Sequence, residues 1–194
     1  MCGIAGLIRR DGGTDHEATR ARARAMRAAL RHRGPDGEGE ALLPGAILEH
    51  TRLALLDRAG GAQPMTSPDG RYTIVYNGEV YNAFDHRPDL ESKGYRFRSH
   101  TDTEVILYLY EEYGIQGCLD RLNGMFAFVI VDLRTGDMHI ARDHLGIKPL
   151  YYAVHGDVLH LASEIKALFA AGVPARWDRE QFYQRTFIPT SPDR

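Results

Sequence analysis

Apolar positions in this chain fall in short blocks separated by breaks rich in glycine, proline and aspartate. Residues 3–8 are compact and apolar, and 9–13 interrupt them, which predicts a first strand and a turn. The period then changes. Ala18, Ala21, Ala25, Met26, Ala29 and Leu30 recur at helical spacing, with Asp15 placed to cap the helix and Glu17 in its first turn. The intervening arginines (Arg20, Arg22, Arg24, Arg27, Arg31) read as the solvated face of that helix, the alternative being an anion site. The segment from His32 to Gly37 ends it, because Pro35 forbids continuation and Gly34 frees the backbone. Its charged members fit either a loop surface or a hydrogen-bonded brace.

Residues 46–56 are predicted as strand, turn, strand with Arg52 inside, followed by a Gly- and Pro-rich loop over 57–68. Asp69-Gly70 is a hairpin signal leading into a strand over 71–76. Asn77-Gly78-Glu79 breaks the alternation, and Gly78 permits close backbone approach or positive φ, as in a bulge or a turn. A weak helical stretch over 83–93 is broken by Pro88. Thr101-Asp102-Thr103-Glu104 opens a helix to about residue 113, with Thr101 or Asp102 as its cap and Glu104 completing a capping box. A short helix over 117–122 carries Cys118, read as a buried apolar residue. Two further hairpins are predicted, 124–132 with 138–142 and 150–154 with 158–162. Ser163 starts a helix to residue 171, and Asp178 caps one more short helix. Antiparallel hairpins with single helices between them argue against a doubly wound parallel sheet.

Composition narrows the function. The chain has 194 residues, enough for one domain with a sizeable core. Lys and Arg number 24 against 26 Asp and Glu, a balance that calls for neither nucleic acid nor an acidic membrane surface. Two cysteines cannot build a disulfide framework. No segment is long and apolar enough to span a membrane, and no signal peptide is recognisable, so a cytoplasmic protein is expected. The glycines fit neither a Walker nor a dinucleotide loop, and the nine histidines lack metal-ligand spacing. No metal and no cofactor are therefore expected in this domain.

The sharpest chemical feature is Cys2. Removal of Met1, which aminopeptidases perform when the next side chain is small, leaves a residue with both a thiol and a free α-amine. That amine has an ordinary pKa of about 7.7–8.0, so roughly a third is unprotonated near pH 7.5. It is a general base beside the nucleophile it would activate. Taken alone, Cys2 also fits a small apolar residue opening an edge strand.

Seven motifs set that reading in context. They begin at Cys2, Arg31, His50, Tyr76, Thr101, Ala141 and Ala162: CGIAG, RHRGPDG, HTRL, YNGE, TDTE, ARDHLGIKPLYY and ASEIKAL. In this order they resemble the class II glutamine amidotransferases, above all the N-terminal half of glutamine-hydrolysing asparagine synthetases. The resemblance covers residues 2–170. It implies an α+β fold of the N-terminal-nucleophile hydrolase type, a four-layer αββα sandwich of two antiparallel sheets. It implies Cys2 as nucleophile, with Asn77 and Gly78 as the oxyanion hole. It places Arg52 on the carboxylate of L-glutamine and Asp102, helped by Glu79, on its ammonium. Leu53, Ala54, Leu55 and Leu56 would line the substrate through backbone contacts.

Residues 171–194 are expected to be an extension that starts a linker to a synthetase domain absent from this sequence. ATP and Mg would belong only to that domain, which would accept the ammonia, and a homodimer is possible within the family pattern. His144 and Leu145 stand where the family more commonly has Arg and Phe. Two competing readings are a non-catalytic glutamine-sensing or scaffold subunit, and a truncated synthetase fragment. The latter would expose apolar residues around 145–152 and at Ile188.

Overall fold

In the computed structural model, residues 1–9, 17–176, 178–180 and 182–183 are described. Two antiparallel sheets stack face to face. The first has five strands, β2 (Gly37–Leu43), β3 (Ala46–Arg52), β1 (Gly3–Arg9), β9 (Val158–Ala162) and β8 (Tyr151–His155), in that order. The second has four, β4 (Met65–Thr66), β5 (Tyr72–Val80), β6 (Gly124–Asp132) and β7 (Met138–Arg142). Helices α1 (Glu17–Ala29) and α4 (Ile165–Ala170) cover the first sheet. Helices α2 (Ala83–Ser92) and α3 (Asp102–Leu119) cover the second. This is the four-layer αββα arrangement.

Three apolar layers hold it together. Ile4, Leu48, Val75, Ala127, Val129 and Leu161 pack between the sheets. Leu7, Met26, Leu30, Ile47 and Leu168 fill the space under α1 and α4. Ile74, Phe126, Phe128, Ile130 and Leu109 fill that under α3. β5 and β6 are thus buried on both faces, which explains why 125–131 reads as a continuous apolar run rather than an alternation.

Several expectations are corrected. The buried stripe of α1 is Thr19, Ala23, Met26 and Leu30, while Ala18 and Ala21 are exposed. Alanine tolerates either face, and the bulky Met26 and Leu30 mark the true one. The α1 arginines are not simply solvated. Arg27 pairs with Glu38 (3.2 Å) and Glu49 (2.7 Å), and Arg24 with Glu40 (3.5 Å), so the helix faces acidic positions on β2 and β3. Asp15 lies outside the described residues.

The hairpin predicted over 46–56 is displaced: β2 and β3 meet at Gly45, and the chain after Arg52 is loop. β5 runs straight through Asn77-Gly78-Glu79, paired in regular register with Ala127, Phe126 and Met125. Gly78 serves close approach: a Cβ there would sit 2.4 Å from the Met125 carbonyl oxygen. α2 continues through Pro88. The cap of α3 is Thr101, whose hydroxyl accepts from the Glu104 N–H at 3.4 Å, and the box is not reciprocal. Glu104 instead accepts from Ser99 and Tyr108. The predicted break near residue 113 is a kink at Gly114, whose φ of 67° favours glycine. Ser163 does not cap α4; its hydroxyl accepts from the Ile4 N–H at 3.0 Å and pins the start of β1. The Asp178 carbonyl accepts from the Phe182 N–H, and residues 184–194, with Ile188, lie outside the described residues.

Two neighbouring residues on β3 make opposed pH-dependent contributions. Glu49 is buried beneath α1, and burial raises its carboxyl from 4.5 to about 7 against the attraction of Arg27. The folded state keeps a proton there that the unfolded chain releases, so stability falls as pH rises from about 4.5 to 7. His50 lies between the sheets, its Nε2 3.2 Å from the Tyr76 carbonyl oxygen, and burial lowers its imidazole from 6.5 to about 4. Here the unfolded chain takes up the extra proton, so stability rises with pH between about 4 and 6.5. Urea midpoints measured across this range should therefore diverge. Glu49→Gln should give a profile rising more steeply with pH than the wild type, and His50→Gln one that falls more steeply. Parallel profiles would contradict these assignments.

Candidate active site

Cys2 immediately precedes β1 at the mouth of the sandwich. Its neighbours Gly3 and Ile4 are clamped to β3 and to Ser163. The Cys2 carbonyl accepts from Arg33 Nε at 2.9 Å, and Arg33 in turn pairs with Glu164 at 2.8 Å. The RHRGPDG segment is thus a brace: Asp36 also accepts from the Ala54 N–H at 2.9 Å. The Cys2 thiol contacts Leu53, 3.6 Å from its carbonyl oxygen and 3.4 Å from its N–H. Burial pushes the thiol pKa up; the Leu53 N–H, the N-terminal charge and Arg52 pull it down, and Glu79 pushes it up again.

Cys2 opens onto a pocket of about 230 Å³ that also carries Arg52, Asn77, Gly78, Glu79 and Asp102. The size suits an amino acid better than a drug-sized ligand, whose sites run to about 300–1,000 Å³. Arg52 closes β3 and its guanidinium donates to the carbonyls of Leu56, Asp57 and Arg58, folding the following loop around itself. Guanidinium has five N–H donors, so this leaves some for a carboxylate.

Asn77 is 2 % exposed, and its Nδ2 has no hydrogen-bond partner among the described residues. A buried amide N–H left unpaired costs about 1–3 kcal/mol, which marks it as a donor awaiting an acceptor. Asp102, at the first turn of α3, accepts from the Tyr76 hydroxyl (2.6 Å) and the Val80 N–H (3.0 Å). Burial raises its carboxyl above the ordinary range, against the pull of these bonds. Glu79 is also raised, by burial and then by Asp102, with Lys148 opposing.

All the residues anticipated for the site line this pocket except Ala54, whose N–H is turned to Asp36. Four of the other lining residues were given no part in the site by the motifs or elements that contain them. Tyr76 holds Asp102. Gln63 accepts from the Tyr76 N–H (2.7 Å) and donates to Thr103 (3.3 Å). Met125 and Lys148 complete the wall beside Met1. Among the described residues no cluster of His, Cys, Asp and Glu could hold a metal, and no helix is long and apolar enough to cross a membrane.

Two solved structures share this architecture. Glutamine phosphoribosylpyrophosphate amidotransferase from B. subtilis superposes with a TM-score of 0.71 at 23 % identity, covering 88 % of this chain and 44 % of that one. A structure described as the allosteric regulatory enzyme of purine biosynthesis gives 0.73 at 24 %, covering 88 % and 43 %. Residues 1–193 match the glutamine amidotransferase domain family, and the chain belongs to it.

Among curated relatives, a probable glutamine-hydrolysing asparagine synthetase of Schizosaccharomyces pombe is 42 % identical over 171 residues, 87 % of this chain and 30 % of its own length. Asparagine synthetase 3 of Bacillus subtilis is 40 % identical over 182 residues, 92 % of this chain and 29 % of its own. Asparagine synthetase B of Escherichia coli is 43 % identical over 170 residues, 87 % and 30 %. The chain thus spans about 30 % of the length of these relatives.

Proposed function

We propose that this chain hydrolyses L-glutamine to L-glutamate and ammonia, and that the ammonia serves asparagine synthesis or a related amidation. The observation that carries this reading is the convergence of an N-terminal thiol, a buried unpaired amide donor, one free-edged arginine and two carboxylates on one small pocket. One cation for a carboxylate, anions for an ammonium and a donor for an oxyanion describe a zwitterionic amino acid with a reactive amide.

In this scheme Arg52 binds the glutamine α-carboxylate, and Asp102 with Glu79 receives the α-ammonium. The Cys2 thiol gives its proton to its own α-amine as Sγ bonds to the amide carbon. The tetrahedral oxyanion is met by the Asn77 Nδ2–H and the Gly78 N–H. Collapse breaks the C–N bond, the amine returns its proton to the departing ammonia, and a γ-glutamyl thioester remains. Water opens the thioester, releasing glutamate and restoring the thiol. This scheme uses no cofactor, and ATP and Mg would be needed only by a separate synthetase domain.

An apolar surface supports a synthetase-type partner. Leu145 is 85 % exposed and Tyr152 75 %, with Ile147 and Val154 also open, on the edge strand β8 and the loop before it. Exposed apolar side chains gathered on one loop and the strand after it fit an interaction face.

The test is glutamate release from glutamine by protein whose Met1 is shown absent by intact mass, beside protein prepared with Met1 retained. Turnover is expected only in the first, because retention converts the base into an amide. Equal turnover in both would refute the role of the α-amine.

A further inference from the structure

The loop between β7 and β8 sends a lysine into the pocket that glutamine binding does not use. Asp143 accepts from the N–H groups of Phe126, Ile147 and Lys148 at 3.2, 2.8 and 2.9 Å. Arg142 Nε donates to the Lys148 carbonyl at 2.7 Å. These bonds fix the backbone of residue 148 against the start of β6. The residue is only 5 % exposed and lines the pocket with Cys2, Glu79 and Met125. Among the described residues the only side-chain partner of its ammonium is the Met1 thioether sulfur, at 3.3 Å.

A thioether is a weak acceptor, and no carboxylate is bonded to this buried ammonium, although Glu79 shares the pocket and feels its charge. The sulfur that Lys148 touches belongs to the residue whose carbonyl carbon is bonded to the Cys2 nitrogen. Hydrolysis of that peptide bond removes the thioether and turns the nitrogen into an amine in the same pocket. Two amines then share one poorly solvated space, and their like charges repel.

We propose that Lys148 keeps the α-amine of processed Cys2 in its uncharged form, so that at neutral pH it can accept the thiol proton. The proposal rests on the reading of Cys2 as nucleophile. The other groups facing this amine come from several elements. Glu79 on β5 favours the charged amine, and the Lys148 charge offsets that field. Asp102 on α3 does the same from behind Tyr76, whose hydroxyl it holds. Arg52 on β3 and Arg33, at the Cys2 carbonyl, act in the same sense as Lys148 but are tied to loop carbonyls and to Glu164. Arg142 and Asp143 are spent on the loop backbone. The Cys2 thiol is the remaining neighbour. Lys148 is the cation among these without a fixed acceptor of its own.

Two measurements test it. The first is the pH dependence of kcat/KM for glutamate release by the wild type, Lys148→Met and Lys148→Arg. Loss of a unit charge at pocket distance should move the acid limb to higher pH by about one pH unit in Lys148→Met. Lys148→Arg, which keeps the charge, should restore it. The second measures the amine without turnover. In Cys2→Ala, which keeps an α-amine, the rate of N-terminal acetylation by acetic anhydride is followed against pH by mass spectrometry. The same is done in Cys2→Ala with Lys148→Met. The amine should titrate at lower pH when Lys148 is present. If neither the acid limb nor the amine titration moves, the proposal is overturned. A shift of the acid limb alone also overturns it, since the effect then lies on the thiol. If none of the proteins turns over glutamine, the glutaminase reading fails, and the amine titration alone decides the role of Lys148.

Discussion

Cys2→Ala is expected to lower glutamate release by at least about 10⁴-fold, the scale on which an enzyme loses rate with its nucleophile. Glutamine should still bind, with calorimetry giving a Kd within a few-fold of the wild type. The two expectations separate because the binding groups stand on other elements. Arg52 ends β3, Glu79 lies on β5 and Asp102 opens α3, and none of them is held by the Cys2 side chain. Among the described residues the thiol's hydrogen-bond contacts are with the Leu53 backbone, at 3.4–3.6 Å, so its loss removes little that supports the fold. Retained turnover in Cys2→Ala would remove the nucleophile from the account. Lost binding would mean that Cys2 organises the 53–61 loop.

Asn77→Ala is expected to lower kcat by about 10²–10³-fold, the loss of roughly 2.7–4 kcal/mol seen when one oxyanion donor is removed. The physical basis is that its Nδ2 has no protein partner among the described residues. A donor engaged with the protein would have to break that bond in the transition state, and a free one does not. KM should change little, because the ground-state amide oxygen carries less charge than the oxyanion. A rise confined to KM, with kcat intact, would place Asn77 in substrate binding instead. Since Asn77 is buried in a regular ladder with Ala127, the alanine variant should keep its fold, which circular dichroism checks.

The sequence carried the hairpins well because their turns are local. Asp69-Gly70, the 134–137 turn and His155-Gly156-Asp157 fix their own backbone, and β5, β6, β7, β8 and β9 follow from them. It carried α1 poorly. Alanine on several sides hid the buried stripe, and the arginines find Glu38, Glu40 and Glu49 only after β2 and β3 have folded beneath the helix. β2 was missed for the same reason, since its alternating glycines and glutamates carry no apolar period.

At the site, Cys2 announced its chemistry by position. The parts played by Arg52, Asn77, Gly78, Glu79 and Asp102 came from ordered motifs resembling a family, since no periodicity relates residues on separate strands and a helix. The roles of Gln63, Tyr76 and Lys148 stayed unassigned, although two of them lie in those motifs, because their meaning is wholly tertiary. Gln63 matters through the β5 backbone, Tyr76 through Asp102, and Lys148 through a loop tied down by Asp143.

The covalent intermediate can be trapped directly. Processed protein would be mixed with glutamine, quenched in acid within a turnover, digested and examined by mass spectrometry. A γ-glutamyl group on the peptide that begins at Cys2, absent when glutamine is omitted, is the predicted result. Steady glutamate release with that peptide unmodified, or with the glutamyl group on another residue, would contradict a Cys2 thioester.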